Sequence, residues 1–360
     1  MLPFRDFLTT PQKGKSTHLP HLEDLPVVHP LGSKPGFELV HEFMSRLHTS
    51  CQTGYLDRLH VTLKMDGAPA FIYGHDAQGY FIGTKSALSL IPTRLRSILD
   101  IERTYEERPG LVHTLSVVFD VLPRTLPQGV LVQGDILFVD GPTQESISDV
   151  GDCYTFTPNT LTYIIPRWSN LAPTLEFGPR VGVVFHTELS EMDDRTYFSA
   201  PIRQSVRDML ATNDVWSYRN DLLDFAYATP LRMSPIISPS VELNDDILSR
   251  SSFRQWYLKA LNQSIRQQTS LDFSWALPSE YSTGTLFWQW QQDIQLFKQC
   301  VLSNVIPNRT NQIPLVYADG QRAEHEGLVV TMTDSGQQVK IVNRHLFSRL
   351  NMSLSPFRNE

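Results

Sequence analysis

The period of the hydrophobic pattern changes twice along the 360 residues, and that change narrows the folds open to the chain. From residue 55 to about 194 the apolar residues come in short runs of strand type. Leu59, Val61 and Leu63 alternate with His60, Thr62 and Lys64, and further strands are expected around 69–74 and 79–84, joined by the polar GHDAQG segment. VLVQGDILFV reads as a buried strand from its Val, Ile, Leu and Phe content, and TLTYIIP and VGVVFHTEL continue the sheet. Residues 85–125 look mixed and partly helical. Between 195 and 312 the spacing turns helical, over 201–211, 241–268 and 284–304. Trp256, Tyr257, Leu258 and Leu261 mark one run, and Phe287, Trp288, Trp290, Ile294, Phe297 and Val301 another. Both stripes read as helical core rather than as a platform for stacking bases. LVVTMT and QQVKIV then return to strand periodicity as a hairpin closing near Asp334-Ser335-Gly336-Gln337.

The expected architecture is α+β: an antiparallel-sheet domain from 55–194 plus 313–360, a helical insertion at 195–312, and a lead-in and helix at 1–54. Within that lead-in, residues 1–35 look irregular, and Phe37, Val40, Phe43, Met44 and Leu47 form one helical face. A hydrophobic content of 41% suffices for a large core. Cys51, Cys153 and Cys300 lie far apart without a C-x-x-C pair, which points to a reducing, cytoplasmic setting and away from zinc or a disulfide framework. The start, MLPFRDFLTTPQKGKS, has no long apolar run, so neither a signal peptide nor a membrane span is expected. A net charge of −7 argues against a general nucleic-acid coat protein, though a local basic groove can still touch a strand end. No P-loop, GxGxxG site or Ser-His-Asp triad is legible.

One short segment carries chemistry. Leu63-Lys64-Met65-Asp66-Gly67-Ala68-Pro69 ends the alternating strand with a lysine on its polar face, and Gly67 lets the backbone turn at once. K-x-D-G is a weak pattern alone. Its weight comes from three further motifs that stand in order along the chain: Gly134-Asp135 in VLVQGDILF, Glu326-Gly327 in EGLVV and Lys340 in VKIVNR. A lysine amine, with an ordinary pKa of about 10, must shed a proton before it can attack phosphorus, and neighbouring cations such as Lys340 or Lys85 would help it. A triphosphate brings its own negative charge, so basic side chains and Mg²⁺ are needed. Mg²⁺ takes one or two carboxylates plus phosphate, and Asp135 and Glu326 are the candidates.

This ordered set resembles the covalent nucleotidyltransferase superfamily, the ATP-dependent DNA and RNA ligases and mRNA capping enzymes, over roughly residues 55–190 and 315–345. The resemblance implies an ATP-grasp-like ligase domain of antiparallel sheet, with Lys64 as the nucleophile that holds AMP as a phosphoramidate. It implies Asp135, where the family usually has glutamate, and Glu326 on the metal. Leu63, Asp66, Gly67, Lys85, Phe185, Glu326, Lys340 and Arg344 would surround the nucleotide, with Phe185 either stacked on adenine or part of the core. The implied cofactors are ATP and Mg²⁺, and the implied partner is a nucleic acid with a 5′-phosphate end, RNA before DNA, with no membrane. Two departures tilt the reading toward the RNA ligase type: Pro69 stands where DNA ligases carry arginine, and the 20 residues after Lys340 are too few for the usual OB-fold domain. A third, Lys340-Ile341-Val342 in place of K-x-K, implies that one phosphate contact is missing or comes from Lys85 or Arg344. The strings THLPHLED, KMDGAPA, GTKS, QGD and FTPNT are similar to an uncharacterised family encoded by tailed bacteriophages. The alternatives are a transferase with a protein or small-molecule acceptor, and a catalytically silent phage component of the same fold.

Two segments carry conditions. A two-residue Ser-Gly loop would set Lys340 opposite Thr331 and leave Glu326 on the other face. A three-residue loop with a left-handed Gly336, or a bulge at Gly327, would bring the two side chains together, so an irregularity is expected. His18-x-x-His21-x-Glu23-Asp24 has a metal-ligand look, but Pro20 argues against a helix presenting both histidines, and turn capping or backbone hydrogen bonding is preferred.

Overall fold

The computed structural model describes residues 12–13, 19–56, 58–89, 91–193, 196–218, 250–267, 281–305 and 313–344. The fold is mixed α+β with largely antiparallel sheets, and it divides into two compact units. The first comprises Met1–His18, Met65–Asn220 and Thr310–His325, the second Leu19–Lys64, Asp221–Arg309 and Glu326–Glu360.

Numbering elements along the chain, the first unit holds β1 (Gln12–Lys13), β3 (Ala70–Asp76), β4 (Gly79–Gly83), β5 (Val130–Val139), β9 (Val181–Asp193), β10 (Thr196–Pro201) and β11 (Val215–Ser217). They form one sheet in the order β1-β10-β9-β5-β3-β4, with β11 parallel to β9. Strand alternation sends Phe71, Tyr73, Val132, Ile136, Val183 and Phe185 to one face, where they bury against Ile101 of α3 (Ile98–Thr104) and Leu115, Val118 and Phe119 of α4 (Pro109–Val121). Ser97 caps α3 by accepting from the Asp100 amide, and Pro109 opens α4 where no amide is needed. The opposite face buries Ile72, Phe81, Leu131, Leu189 and Tyr197 under Ala87 and Leu88 of a 3-10 turn, Lys85–Leu88. A second sheet runs β13 (Gln321–Ala323), β12 (Leu315–Ala318), β8 (Thr162–Pro166), β7 (Gly151–Phe156), β6 (Thr143–Ile147).

The second unit holds β2 (Leu59–Lys64), β14 (Gly327–Met332) and β15 (Gln338–Val342), ordered β15-β14-β2, with α1 (Leu25–Val28), α2 (Ser33–Thr53), α6 (Ser251–Gln267) and α7 (Tyr281–Val305). Phe37, Val40, Phe43, Met44 and Leu47 give α2 its buried face, and Gly54, left-handed at φ 71°, ends it. Phe37 meets Trp290 of α7 edge-on at 4.8 Å, and burying each such ring stabilises the fold by about 2 kcal/mol. Phe287, Trp290, Ile294, Phe297 and Val301 of α7 are buried, as expected of core.

Two boundaries differ from the sequence reading. Residues 196–201 and 215–217 are strands of the larger sheet, so the helical segment does not start at 195; the helical spacing of α5 (Gln204–Leu210) masks the strands on either side of it. β14 and β15 pair with β2, which groups the last hairpin with the N-terminal helices rather than with the larger sheet. Periodicity shows that a strand exists but not which distant strand it joins. Residues 241–249 and 268 lie outside the described residues.

Candidate functional site

The small sheet of the second unit has one dry face and one polar face. Leu59, Val61, Leu63, Leu328, Val330, Met332, Val339 and Ile341 are buried on the dry side. On the other side the register sets Gly327 opposite both Lys64 and Val342, Val329 opposite Thr62 and Lys340, and Thr331 opposite His60 and Gln338. Lys64 and Lys340 therefore share a face, with Cα atoms roughly 12 Å apart from strand spacing and rise. The Lys64 amine, 9% exposed at its side chain, donates to the Glu326 carboxylate, which is 5% exposed, as a buried ion pair.

Glu326 reaches that amine because the hairpin is irregular. Its loop has four residues, Thr333–Gly336, closed by Met332 N donating to Gln337 O at 2.9 Å and Gly336 N to Met332 O at 2.7 Å, with Gly336 left-handed at φ 72°. Neither loop length considered from sequence is found. Lys340 faces the odd-numbered Val329, a register that would send Glu326 to the dry face of a regular strand. Gly327 breaks the regularity. Its φ of 148° is open to glycine, and a Cβ there would lie 2.2 Å from the Ile341 carbonyl oxygen. The glycine of the Glu-Gly pair thus turns the acid onto Lys64.

In the first unit, Asp66 and Gly67 lie in the loop before β3. A Cβ on Gly67 would come 2.2 Å from the Ile136 carbonyl oxygen, and Ala68 N donates to that oxygen at 2.9 Å, so the loop lies directly on β5 next to Asp135. Asn159 donates to the Asp66 carbonyl at 3.3 Å. At Gly134 a Cβ would sit 2.7 Å from the Val184 carbonyl oxygen, and the β5–β9 register shifts between Gln133 and Gly134. That bulge leaves His186 as the extra residue of β9. Its Nε2 lies 3.9 Å from the half-buried Asp135 carboxylate and its Nδ1 2.8 Å from the Thr187 hydroxyl. Sequence reading missed His186, since alternation carries no sign of a bulge.

Several sequence candidates take other places. Phe185 is 1% exposed, edge-on to Phe71 at 5.8 Å in the core, and is not available to stack on adenine; its parity with Val181 and Val183 turns it to the helix-covered face. The Leu63 side chain is fully buried on the dry face. Lys85 is exposed at the start of its 3-10 turn. Arg344 donates to Asp24 at 2.9 Å and lies 3.8 Å from Glu23, so a phosphate contact would have to break a buried ion cluster. His21, Glu23 and Asp24 enter that cluster rather than capping a turn, and His18 lies outside the described residues. Burial alone would raise the Glu23 carboxyl, but Lys298 beside it, with His21 and Arg344, holds it down to about 2. Burial drives His21 well below the usual imidazole value, aided by Arg344.

Among the described residues no group of three or more His, Cys, Asp or Glu is arranged to hold a metal. Mg²⁺ asks for less, one or two carboxylates with phosphate and water, and the half-buried Asp135 fits that need. No helix among the described residues is long and apolar enough to cross a membrane. No curated protein and no solved structure matches the chain. Residues 16–271 match DUF6267, a stretch that includes Lys64, Asp66, Gly67, Asp135 and His186 and ends before Glu326 and Lys340. The chain belongs to this family of unknown function.

Proposed function

We propose that the chain is an ATP-dependent, RNA-ligase-like nucleotidyltransferase of the cytoplasm, with Lys64 as its nucleophile. The observation that carries the reading is a strand-end lysine held by the acid of the Glu-Gly strand, with Lys340 on the same sheet face. Lys64 Nζ attacks the α-phosphorus of ATP, the N–P bond forms, the bond to the bridging oxygen breaks and pyrophosphate leaves. Of the two protons the Lys64 ammonium must lose, the first passes to Glu326, already its hydrogen-bond partner, before the attack, and the second leaves with pyrophosphate as the N–P bond forms. Lys340 supplies positive charge for the phosphates. Mg²⁺, when bound, would neutralise further phosphate charge. The adenylyl group then moves to a 5′-phosphate of RNA, and attack by a 3′-hydroxyl joins the strands and releases AMP.

The test is incubation with α-labelled ATP or GTP and Mg²⁺, then a denaturing gel. The wild-type chain should carry label and Lys64→Met should not; label of equal intensity on both would remove Lys64 from the role. Joining of 5′-phosphorylated RNA separates a ligase from a transferase with a protein or small-molecule acceptor. A second reading, a catalytically silent phage component, draws support from the same ion pair, because a buried Lys–Glu pair can also serve only to fix a sheet edge. An unlabelled wild-type chain at every pH would favour it.

A further inference from the structure

The His21-Leu22-Glu23-Asp24 segment lies against the strand that carries Lys340. Lys340 N donates to the Pro20 carbonyl at 2.9 Å, and His21 makes a parallel bridge to Lys340, so residues 20–21 close the outer edge of β15. The next turn is buried to an unusual degree for its charge: Glu23 is fully buried and Asp24 is 4% exposed. Lys298 donates to Glu23 Oε1 at 2.8 Å and Gln295 to the same oxygen at 3.1 Å, while Gln291 donates to the Glu23 backbone carbonyl at 2.8 Å. These three residues share one face of α7 by their spacing. Arg344, just past the end of β15, donates to Asp24 at 2.9 Å. Two acids face two bases, and Lys340 and the chain just after it are thereby tied to one turn.

Such a cluster is a poor way to gain stability. Well-packed apolar residues in place of a buried ion pair often do as well, whereas losing one member leaves a charge buried alone. We propose that Glu23, Asp24, Lys298 and Arg344 are positioning residues for Lys340, acting through the Pro20 carbonyl that takes its amide. The inference rests on the reading that Lys340 serves the phosphates, since it fixes where that side chain leaves the sheet.

The experiment uses the full chain with Glu23→Gln, Lys298→Met and Lys298→Arg, reading amide exchange at Lys340 and self-labelling against ATP concentration. In Glu23→Gln and Lys298→Met, exchange at Lys340 should speed up about tenfold or more while β2 stays protected. The ATP concentration for half-maximal labelling should rise about tenfold with the maximal rate little changed, because Lys64 and Glu326 are intact. Lys298→Arg should restore both. If Lys298→Met does not fold, Glu23→Leu/Lys298→Met replaces it, since a neutral pair leaves no buried charge. Unchanged exchange at Lys340 in folded Glu23→Gln or Lys298→Met, or in the neutral pair that replaces the latter, overturns the proposal, and so does failure of the neutral pair to fold, which would mark the cluster as purely structural. Faster exchange with no label on the wild-type chain leaves the positioning standing and sinks the nucleotidyl-transfer reading instead.

Discussion

Removing the Glu326 carboxylate would strand the Lys64 charge in a place that excludes water, and breaking a buried pair from one side costs about 3–5 kcal/mol. Glu326→Gln should therefore lower both stability and labelling, which makes the single variant a poor guide to chemistry. Lys64→Met/Glu326→Leu removes both charges and should unfold at nearly the wild-type denaturant midpoint while taking no label. A double variant as unstable as Glu326→Gln would show that the ion pair is not what the single change disturbs. Much at this level was legible beforehand. Alternation put Lys64 on a polar face, and the register bears out that placement. His186 is not legible, because the bulge at Gly134 leaves no pattern in composition, whereas the core place of Phe185, one of the two open to it, follows from its parity with Val181 and Val183. Arg344 looked like a spare cation only because its carboxylate partner, Asp24, lies 320 residues away in the chain.

The β3–β4 hairpin shows how an element is held from outside its own hydrogen bonds. Arg94 and Arg96 each donate to Asp76 Oδ2 at 2.7 Å, Arg94 also donates to the Tyr197 hydroxyl at 2.6 Å, and its guanidinium lies 4.6 Å from the Phe81 ring centre. The strap ties β3, through Asp76, and β4, through Phe81, to β10 across the sheet face that Ala87 and Leu88 cover. Burial would raise the Asp76 carboxyl, but the two guanidiniums and the Gln78 amide outweigh it and bring it to about 2. Because the folded value lies below the unfolded one, this group stabilises the fold fully above the ordinary carboxylate range and loses that contribution as pH falls through about 2. Asp76→Asn should cost about 2 kcal/mol at neutral pH and flatten the acid limb of the stability curve, measured by denaturant melts across pH. An acid limb identical to wild type would assign that limb to other carboxylates. Alternation and the polar GHDAQG segment placed this hairpin well but held no hint of the strap, since two arginines beyond the second strand read as surface charge.

The chain passes between its two units at residues 18/19, 64/65, 220/221, 309/310 and 325/326, so neither unit is a continuous stretch. The family match, 16–271, accordingly stops short of a complete second unit: it lacks α7, β14 and β15. A chain truncated after residue 271 should keep every strand of the larger sheet yet expose residues 59–64 to protease and take no label. Label on that shortened chain would exclude Glu326 and Lys340 from the reaction. The α+β class was readable from the change in period, whereas the assignment of the last hairpin to β2 depends on pairing that no local pattern encodes.

That pairing also sets a timetable. Lys64 and its strand partner Gly327 are separated by 263 positions of sequence, counted as 327 − 64, and at about 5–20 residues per second a ribosome needs roughly 13–50 s to cross them. Through that interval Leu59, Val61 and Leu63 have no sheet to join, and the nascent chain carries an unpaired apolar edge that invites chaperones or misassociation. On the proposed reading the lysine is made long before its acid and second cation. Translation products broken off between them would then hold the nucleophile without the means to use it, and a nucleotide adduct would mark a chain whose synthesis had passed the β14–β15 hairpin.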